Sequence, residues 1–291
     1  MSRQPSSWIP VFIGLISDWL NTLTFRASVI TFLVSVGLIL VGLAVGQRVD
    51  MLPLQASVNA PVYDELFQVL FSIGTMLFLG ICGMLVYSLV RFRRPAGDLG
   101  DGAAIEGNLP LEIVWTAIPA VVVLFVGLYS YNIYERMGGM APLADHSVMH
   151  AMPASDPDSG DRVWGGISTV SGETADLTVD VTALQFAFIF HYPDGNITTG
   201  ELHVPEGERV ELRMKANDVI HAFWVPQFRI KQDIIPGQPT VLTFTANRPG
   251  TYPIICAELC GPYHGGMRTS VVVHDRGAFD QWLTKNTPPV A

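Results

Sequence analysis

Three long apolar runs in the N-terminal half limit what this chain can fold into. They cover residues 27–46, 63–90 and 113–134, and only the second carries acidic residues, at its start. A helix needs about 20 apolar residues to cross the core of a bilayer, and each run is long enough. The composition agrees, with 49% hydrophobic and only 15% charged residues. We therefore expect an integral membrane protein with a transmembrane hairpin over residues 61–137 and one further apolar helix before it.

The first apolar run has two interpretations. Arg3 and Arg26 precede it, and small residues follow at position 56 and over 58–60. This pattern fits either a cleaved export signal or a retained helix, so residues 1–60 are assigned to one or the other. The run is slightly longer than a usual signal core, which favours a retained helix.

The basic residues predict the orientation of the hairpin. Arg91, Arg93 and Arg94 close the second run, so the loop over 91–110 is expected on the cytoplasmic side. The chain after the third run then lies on the periplasmic side of a bacterial plasma membrane or the lumenal side of a thylakoid.

The C-terminal half has two parts with different composition. Residues 138–174 are rich in Ala, Ser, Asp, Pro and His and predict a linker, in which His146 and His150 leave open a role in collecting copper. Residues 175–291 show short alternating runs separated by Pro-Asp-Gly, Pro-Glu-Gly and Pro-Gly turns, typical of an all-β sandwich or barrel. The predicted fold class is an α+β membrane protein, with transmembrane helices followed by an all-β domain.

Residues 256–267, here called the copper loop, read Cys-Ala-Glu-Leu-Cys-Gly-Pro-Tyr-His-Gly-Gly-Met. Soft sulfur ligands and a neutral imidazole select copper over hard cations. A single ion has no use for a second thiolate, whereas two thiolates bridging two copper ions, each capped by one histidine, use both. Two alternatives are a disulfide between the two cysteines and a zinc site, but Met is a poor zinc ligand.

A binuclear site needs a second histidine, and His221 is the best candidate. It interrupts the apolar run 219–225, so its buried ring needs a partner. His191, His203 and His274 lie beside turns or at a strand end, where a solvated ring is the ordinary expectation.

Over roughly residues 60–285 the chain resembles subunit II of the cytochrome c oxidases, haem-copper respiratory oxidases in which this subunit carries the binuclear centre CuA. The copper loop carries the resemblance, together with the stretches 218–221, 231–237 and 247–252, and the details look more cyanobacterial than mitochondrial. By this resemblance the all-β domain is a cupredoxin Greek-key barrel. The implied ligands of two copper ions are two bridging thiolates, two imidazoles and two weak axial donors: Cys256, Cys260, His221, His264, the Met267 sulfur and the Glu258 carbonyl.

The resemblance implies a respiratory function. Electrons would pass from a soluble donor, cytochrome c or plastocyanin, through CuA to haem in subunit I, where oxygen is reduced to water and protons are translocated. Subunit III is a further expected partner, and no nucleic-acid partner is expected.

Further positions take roles from the resemblance. Glu112, at the start of the third run, matches an acid at the entrance of a proton channel, although a helix-end carboxylate is also an ordinary partner of the helix dipole. The Glu258 carboxylate matches a ligand of a magnesium ion shared with subunit I. The family places a tryptophan beside a glutamine for electron uptake, but this chain has Gln185 followed by Phe186. Phe186 or Phe188 is therefore expected to form the apolar docking spot.

Two other functions remain open at this stage. A membrane-anchored copper carrier or store would bind metal without relaying electrons, but a carrier needs exchangeable copper rather than a buried pair. A CuA subunit of a nitric-oxide reductase would carry the same ligands.

Overall fold

The computed structural model describes residues 9–98, 100–102, 104, 107–138 and 175–289, with side chains described from residue 25 onward. Nearly all of the predicted linker over 138–174, including His146 and His150, lies outside these residues.

Among the described residues, three helices are long and apolar enough to cross a membrane: α1 (Ile9–Arg48), α2 (Ala60–Arg91) and α3 (Leu109–Arg136). Most of their large apolar side chains point outward. Such a surface suits lipid, where a helix satisfies its backbone hydrogen bonds internally. The prediction of three apolar N-terminal helices is confirmed, while retention of α1 after processing stays a prediction.

The chain divides into two compact units, Met1–Asp50 with Phe67–Gly107, and Met51–Leu66 with Asn108–Ala291. In the first unit, α1 and α2 approach closely at Gly42 and Gly46. A Cβ added there would lie 2.3 Å from Met76 Cγ and 1.9 Å from Ser72 Oγ, respectively. This Gly-x-x-x-Gly spacing is typical of helix pairs in membranes, because only small residues allow the backbones to come so close.

The second unit contains a β domain whose described residues form two five-stranded sheets. Their strand orders are β3-β2-β1-β5-β8 and β4-β10-β9-β6-β7. The strands are β1 (Leu177–Leu184), β2 (Ala187–Tyr192), β3 (Ile197–Thr199), β4 (Leu202–Pro205), β5 (Arg209–Ala216), β6 (His221–Val225), β7 (Ile230–Ile234), β8 (Thr240–Thr245), β9 (Gly250–Cys256) and β10 (Arg268–His274).

The two sheets enclose one hydrophobic core. Alternate residues of β1, such as Val179 and Val181, point into it because successive side chains of a strand face opposite sides. The pairs β1–β5 and β4–β10 are parallel, and the other pairs are antiparallel. A final helix, α4 (Arg276–Asn286), begins after the N-cap Asp275 and packs against β4 and β10. The predicted fold class, apolar helices followed by an all-β domain, is confirmed.

Candidate metal centre

The copper loop joins β9 to β10 at one end of a sheet. Strands β6 and β9 pair with Phe223 opposite Cys256. Because His221 begins β6 and Cys256 ends β9, this register brings them together at the same sheet end. The His221 Nδ1 atom lies 3.9 Å from Cys256 Sγ.

The loop then folds its remaining donors around the two cysteines. The two Sγ atoms are 3.8 Å apart, and Cys260 Sγ lies 3.6 Å from His264 Nδ1 and 3.7 Å from Met267 Sδ. The carbonyl oxygen of Glu258 lies 3.3 Å from Cys256 Sγ. Each thiol therefore has its own imidazole, and all six donor groups expected from the sequence meet at one place.

The chemistry of this donor set fits copper. His221, Cys256 and Cys260 offer ligand atoms that all lie within 4.8 Å of one another. The two cysteines are free, so the alternative of a disulfide is not what the structure contains. A thioether beside thiols and imidazoles is a set that copper favours and zinc does not use.

Burial prepares the site for a metal. His221, Cys256, Cys260 and Met267 are all buried, which keeps water from these four donors, whereas His264 is half-buried. Burial, together with the neighbouring Cys256 thiol, raises the pKa of Cys260 to about 11. The thiol therefore holds its proton without metal, and metal binding must release it.

Two residues outside the loop hold the site in shape. Asp218 Oδ1 lies 2.8 Å from His221 Nε2, which leaves Nδ1 facing the thiols. The backbone N–H of Gln185 donates to Asp218 Oδ2 at 2.7 Å, and its side-chain amide donates to the Cys260 carbonyl at 2.5 Å. Burial alone would raise the pKa of Asp218, but the hydrogen bonds from His221, Gln185 and Val219 lower it, so the carboxylate stays charged. Sequence reasoning missed both supporting roles, although an acid three residues before a predicted ligand histidine is a usable signal.

Comparison with known proteins shows which family the chain matches. The model of the transmembrane domain of cytochrome c oxidase subunit II matches residues 44–133, and that of its periplasmic domain matches residues 196–274. Cytochrome c oxidase subunit 2 of Thermostichus vulcanus is 47% identical over 285 residues, covering 89% of this chain and 86% of the relative. The chain belongs to the cytochrome c oxidase subunit II family.

Other relatives have the same description. Cytochrome c oxidase subunit 2 of Synechocystis sp. is 44% identical over 276 residues, covering 90% of this chain and 83% of the relative. Among solved structures, the periplasmic domain of subunit II of cytochrome oxidase of Bradyrhizobium japonicum is 30% identical. It covers 39% of this chain and 95% of its own length, with a TM-score of 0.38. The predicted cyanobacterial-like membership is confirmed, as are assignment to an oxidase enzyme and location in a membrane with a periplasmic-type domain.

The two residues expected to form the docking spot, Phe186 and Phe188, differ in their burial in the structure. Phe188 is only 3% exposed and packs edge-on against Phe223 in the core, so the expectation that it offers docking surface is wrong. The reason is the strand pleat, since Phe188 lies on the inward face of β2. Phe186 is half-buried, and its ring packs edge-on against Tyr263 at 5.4 Å between centroids. Tyr263 is 72% exposed, and Leu259 in the same loop is 83% exposed.

Two carboxylates with roles implied by the family have local partners. Glu112 Oε1 accepts from the backbone N–H of Asn108 at 3.2 Å, while Asn108 Oδ1 accepts from Leu111 N–H. This reciprocal arrangement caps α3 and supplies the helix-end role that the sequence left open. Glu258 Oε1 pairs with Lys231 Nζ at 2.8 Å, and Lys231 also reaches Asp233 at 3.1 Å.

Proposed function

We propose that this subunit II is the electron-accepting subunit of a proton-translocating terminal oxidase and holds two copper ions. The single observation that carries the proposal is the pairing of donors: two thiols 3.8 Å apart, each with its own imidazole nitrogen within 4 Å. Cys256, Cys260, His221, His264, Met267 and the Glu258 carbonyl would hold the two ions.

The protein side of the chemistry follows from the described contacts. A thiolate-bridged copper pair supplies one-electron transfer with little change in bond lengths. Asp218 holds His221 in the orientation and tautomer in which Nδ1 is free to bind, and Gln185 ties that carboxylate to the Cys260 backbone. Burial of His221, Cys256, Cys260 and Met267 keeps water away from these four donors.

The proposed docking surface for the electron donor consists of Leu259, Tyr263 and Phe186. Leu259 lies between Glu258 and Cys260, and Tyr263 directly precedes His264, so a partner seated here is one residue from three of the proposed ligands. We propose a basic cytochrome c as the donor, with plastocyanin as the runner-up. The support is charge: residues 141–291 carry ten Lys and Arg against seventeen Asp and Glu.

The remaining partners are proposed from the family. Haem in subunit I would receive the electron, and subunit III would complete the membrane complex. The Glu258 carboxylate would share a magnesium ion with subunit I, which requires that it exchange its partner Lys231 for the ion. Glu112 would stand at the entrance of a proton channel.

The test is copper loading of the full chain in detergent. Saturated protein should contain two copper ions per chain and show electron-spin hyperfine structure from one electron shared by two copper nuclei. Replacing Cys256 by Ser should change the spectrum towards that of a single copper ion, because only one of the two cysteine thiolates remains. The matched control is Cys82→Ser, which removes a thiol from α2 and should leave the spectrum unchanged.

The alternatives predict other results. One copper ion at saturation would contradict the binuclear centre. A carrier or store would be indicated by two results together. A mild chelator would remove the copper, and the chain would purify from its native membrane without haem. Reduction of nitric oxide but not oxygen by the purified complex would indicate a nitric-oxide reductase.

A further inference from the structure

The segment between α1 and α2 forms part of the β domain. The backbone N–H of Ala56 donates to the Gln227 carbonyl at 3.0 Å, and that of Val58 donates to the Thr245 carbonyl at 3.1 Å. In return, the N–H of Asn247 donates to the Ala56 carbonyl at 3.2 Å. The segment therefore pairs like a short strand with the end of β8 and with the turn after β6.

Side chains of this segment complete the core of the β domain. Ala56 is fully buried and belongs to the same hydrophobic cluster as the strands. Ser57 is 1% exposed, and its hydroxyl donates to the Phe228 carbonyl at 2.8 Å. A hydroxyl at such a depth is tolerated only because its hydrogen bond is satisfied.

A buried ion pair fastens the same segment. Arg229 lies in the turn between β6 and β7, and its side chain is 3% exposed. Its Nε and Nη2 atoms donate to both carboxylate oxygens of Asp64, at 2.7 and 3.0 Å, and Nη2 also donates to the Pro53 carbonyl at 2.5 Å. Gln55 donates to the same Asp64 carboxylate at 2.7 Å. A buried guanidinium is strongly unfavourable without such partners, and most of them come from residues 53–64.

We infer that residues 51–66 are a structural part of the β domain, and that any proteolytic removal of N-terminal residues ends before Pro53, so that Pro53 is retained. The match to the transmembrane family model spans residues 44–133 as one domain and does not separate residues 51–66 from the membrane helices. Ala56 and Ala60, two of the small residues that the sequence allowed as the end of an export signal, are fully buried here instead. A cut after Ala56 would place a charged terminal amine where Ser57 is 1% exposed, and it would detach the Pro53 carbonyl from Arg229. The inference is independent of the copper proposal.

The first test is the N-terminus of the chain purified from its native membrane, determined by intact mass and N-terminal sequencing. A first residue anywhere from 1 to 53 is the expected result. A first residue between 54 and 66 would overturn the inference.

The second test compares two neighbouring acids in the full chain. Asp64→Asn leaves the buried Arg229 unpaired and should lower the thermal midpoint of the β domain by about 6 °C or more. The matched control is Glu65→Gln, because Glu65 pairs with Arg136 where both side chains are about half exposed. That change should shift the midpoint by about 2 °C or less.

A double variant covers the case in which Asp64→Asn does not fold. Asp64→Leu combined with Arg229→Met removes both charges and should fold with a midpoint closer to the unsubstituted chain than Asp64→Asn. Equal shifts for Asp64→Asn and Glu65→Gln would overturn the inference. So would a double variant that is no more stable than Asp64→Asn.

Discussion

At the residue scale, the metal centre depends on contacts that choose one atom over another. The ring of His221 could present either nitrogen to the thiols, and the Asp218 carboxylate at Nε2 decides in favour of Nδ1. Carboxylate–histidine contacts of this kind orient a ligand and raise its basicity.

Asp218→Ala should therefore weaken copper binding about 10- to 100-fold, because nothing then holds the ring of His221. Asp218→Asn should lie between Ala and the unsubstituted chain, since the amide oxygen still accepts the hydrogen bond but carries no charge. Titration against a competing chelator measures the affinity. Asp194→Ala, in the exposed turn after β2, is the control and should bind copper normally. Equal affinity in Asp218→Ala would show that packing alone orients His221.

Position 261 requires a glycine. Its φ of +134° is one that L side chains rarely adopt, and an added Cβ would lie 2.8 Å from Gln185 Nε2 and 3.2 Å from the Phe186 ring. Gly261→Ala should displace the Gln185 amide from the Cys260 carbonyl and lower the thermal midpoint by several degrees. Gly265→Ala in the same loop meets no atom within 4 Å and should be nearly neutral. Similar midpoints for the two variants would contradict this account.

Glu112 can be tested without losing its capping role. Gln at this position keeps a side-chain oxygen to accept the Asn108 N–H, so α3 should remain capped, but it cannot carry a proton. Glu112→Gln should therefore slow oxygen turnover of the assembled oxidase while reduction of the copper centre by the donor keeps its rate. Stopped-flow spectroscopy separates the two steps. Unchanged turnover would leave Glu112 with the helix-end role alone.

At the element scale, the attachment of α4 to the β domain rests on a stack of rings. His203 on β4 lies against Trp282 of α4 at 4.3 Å between centroids, and its Nδ1 is 2.8 Å from His274 Nε2. Burial lowers the pKa of His203 to about 4, with the neighbouring His274 acting in the same direction and Glu201 partly opposing it. Burial also lowers the pKa of His274. These histidines are half-buried, not solvated as the sequence suggested.

This environment predicts a loss of stability in acid. The unfolded chain binds a proton at His203 near pH 6.5, whereas the folded chain does so only near pH 4. The free energy of unfolding therefore has its full value above pH 6.5, where His203 is neutral in both states. It decreases by about 1 kcal/mol as the pH falls towards 4, after discounting for solvent screening. His203→Gln should flatten the pH dependence of the thermal midpoint between pH 7 and 4.5. His191→Gln, outside the stack, should not, and an equal effect of the two would refute the assignment.

At the scale of the whole molecule, the charge is uneven. Residues 141–291 account for −7 of the chain's −9, and residues 175–291, the β domain, account for −3. Much of the negative charge therefore belongs to the segment between the membrane helices and the β domain. A basic donor would be attracted to residues 141–291 as a whole.

The second-order rate of donor oxidation should fall by about tenfold or more as salt shortens the Debye length to ~10 Å at 0.1 M. Tyr263→Ser and Leu259→Ser should each slow the same step further, because they remove exposed apolar contact area beside the proposed ligands. Val58→Ser is the control, as an exposed apolar residue outside the copper loop. A rate that is flat or rises with salt would exclude an acidic docking face.

Much of this protein was predictable from sequence because the relevant signals are local. Apolar length identifies α1, α2 and α3, and a twelve-residue loop holds both thiols, one imidazole and the thioether. Strands β3, β4, β7 and β10 escaped prediction, and β3 and β4, with three and four residues, are too short to show a recognisable alternation.

Only the tertiary structure decided how distant residues meet. Strand pleat and register put Phe188 in the core and left Tyr263 as the exposed ring, and no local pattern separates the two. Asp64 and Arg229 are 165 positions apart, and neither is distinctive until the fold buries them together. The sequence by itself determined the membrane helices and the donor groups of the copper loop, because helix length and the donor chemistry of one loop are properties of neighbouring residues. The tertiary structure alone decided the supporting contacts and the limits of the β domain, because burial and charge pairing arise only when remote segments pack.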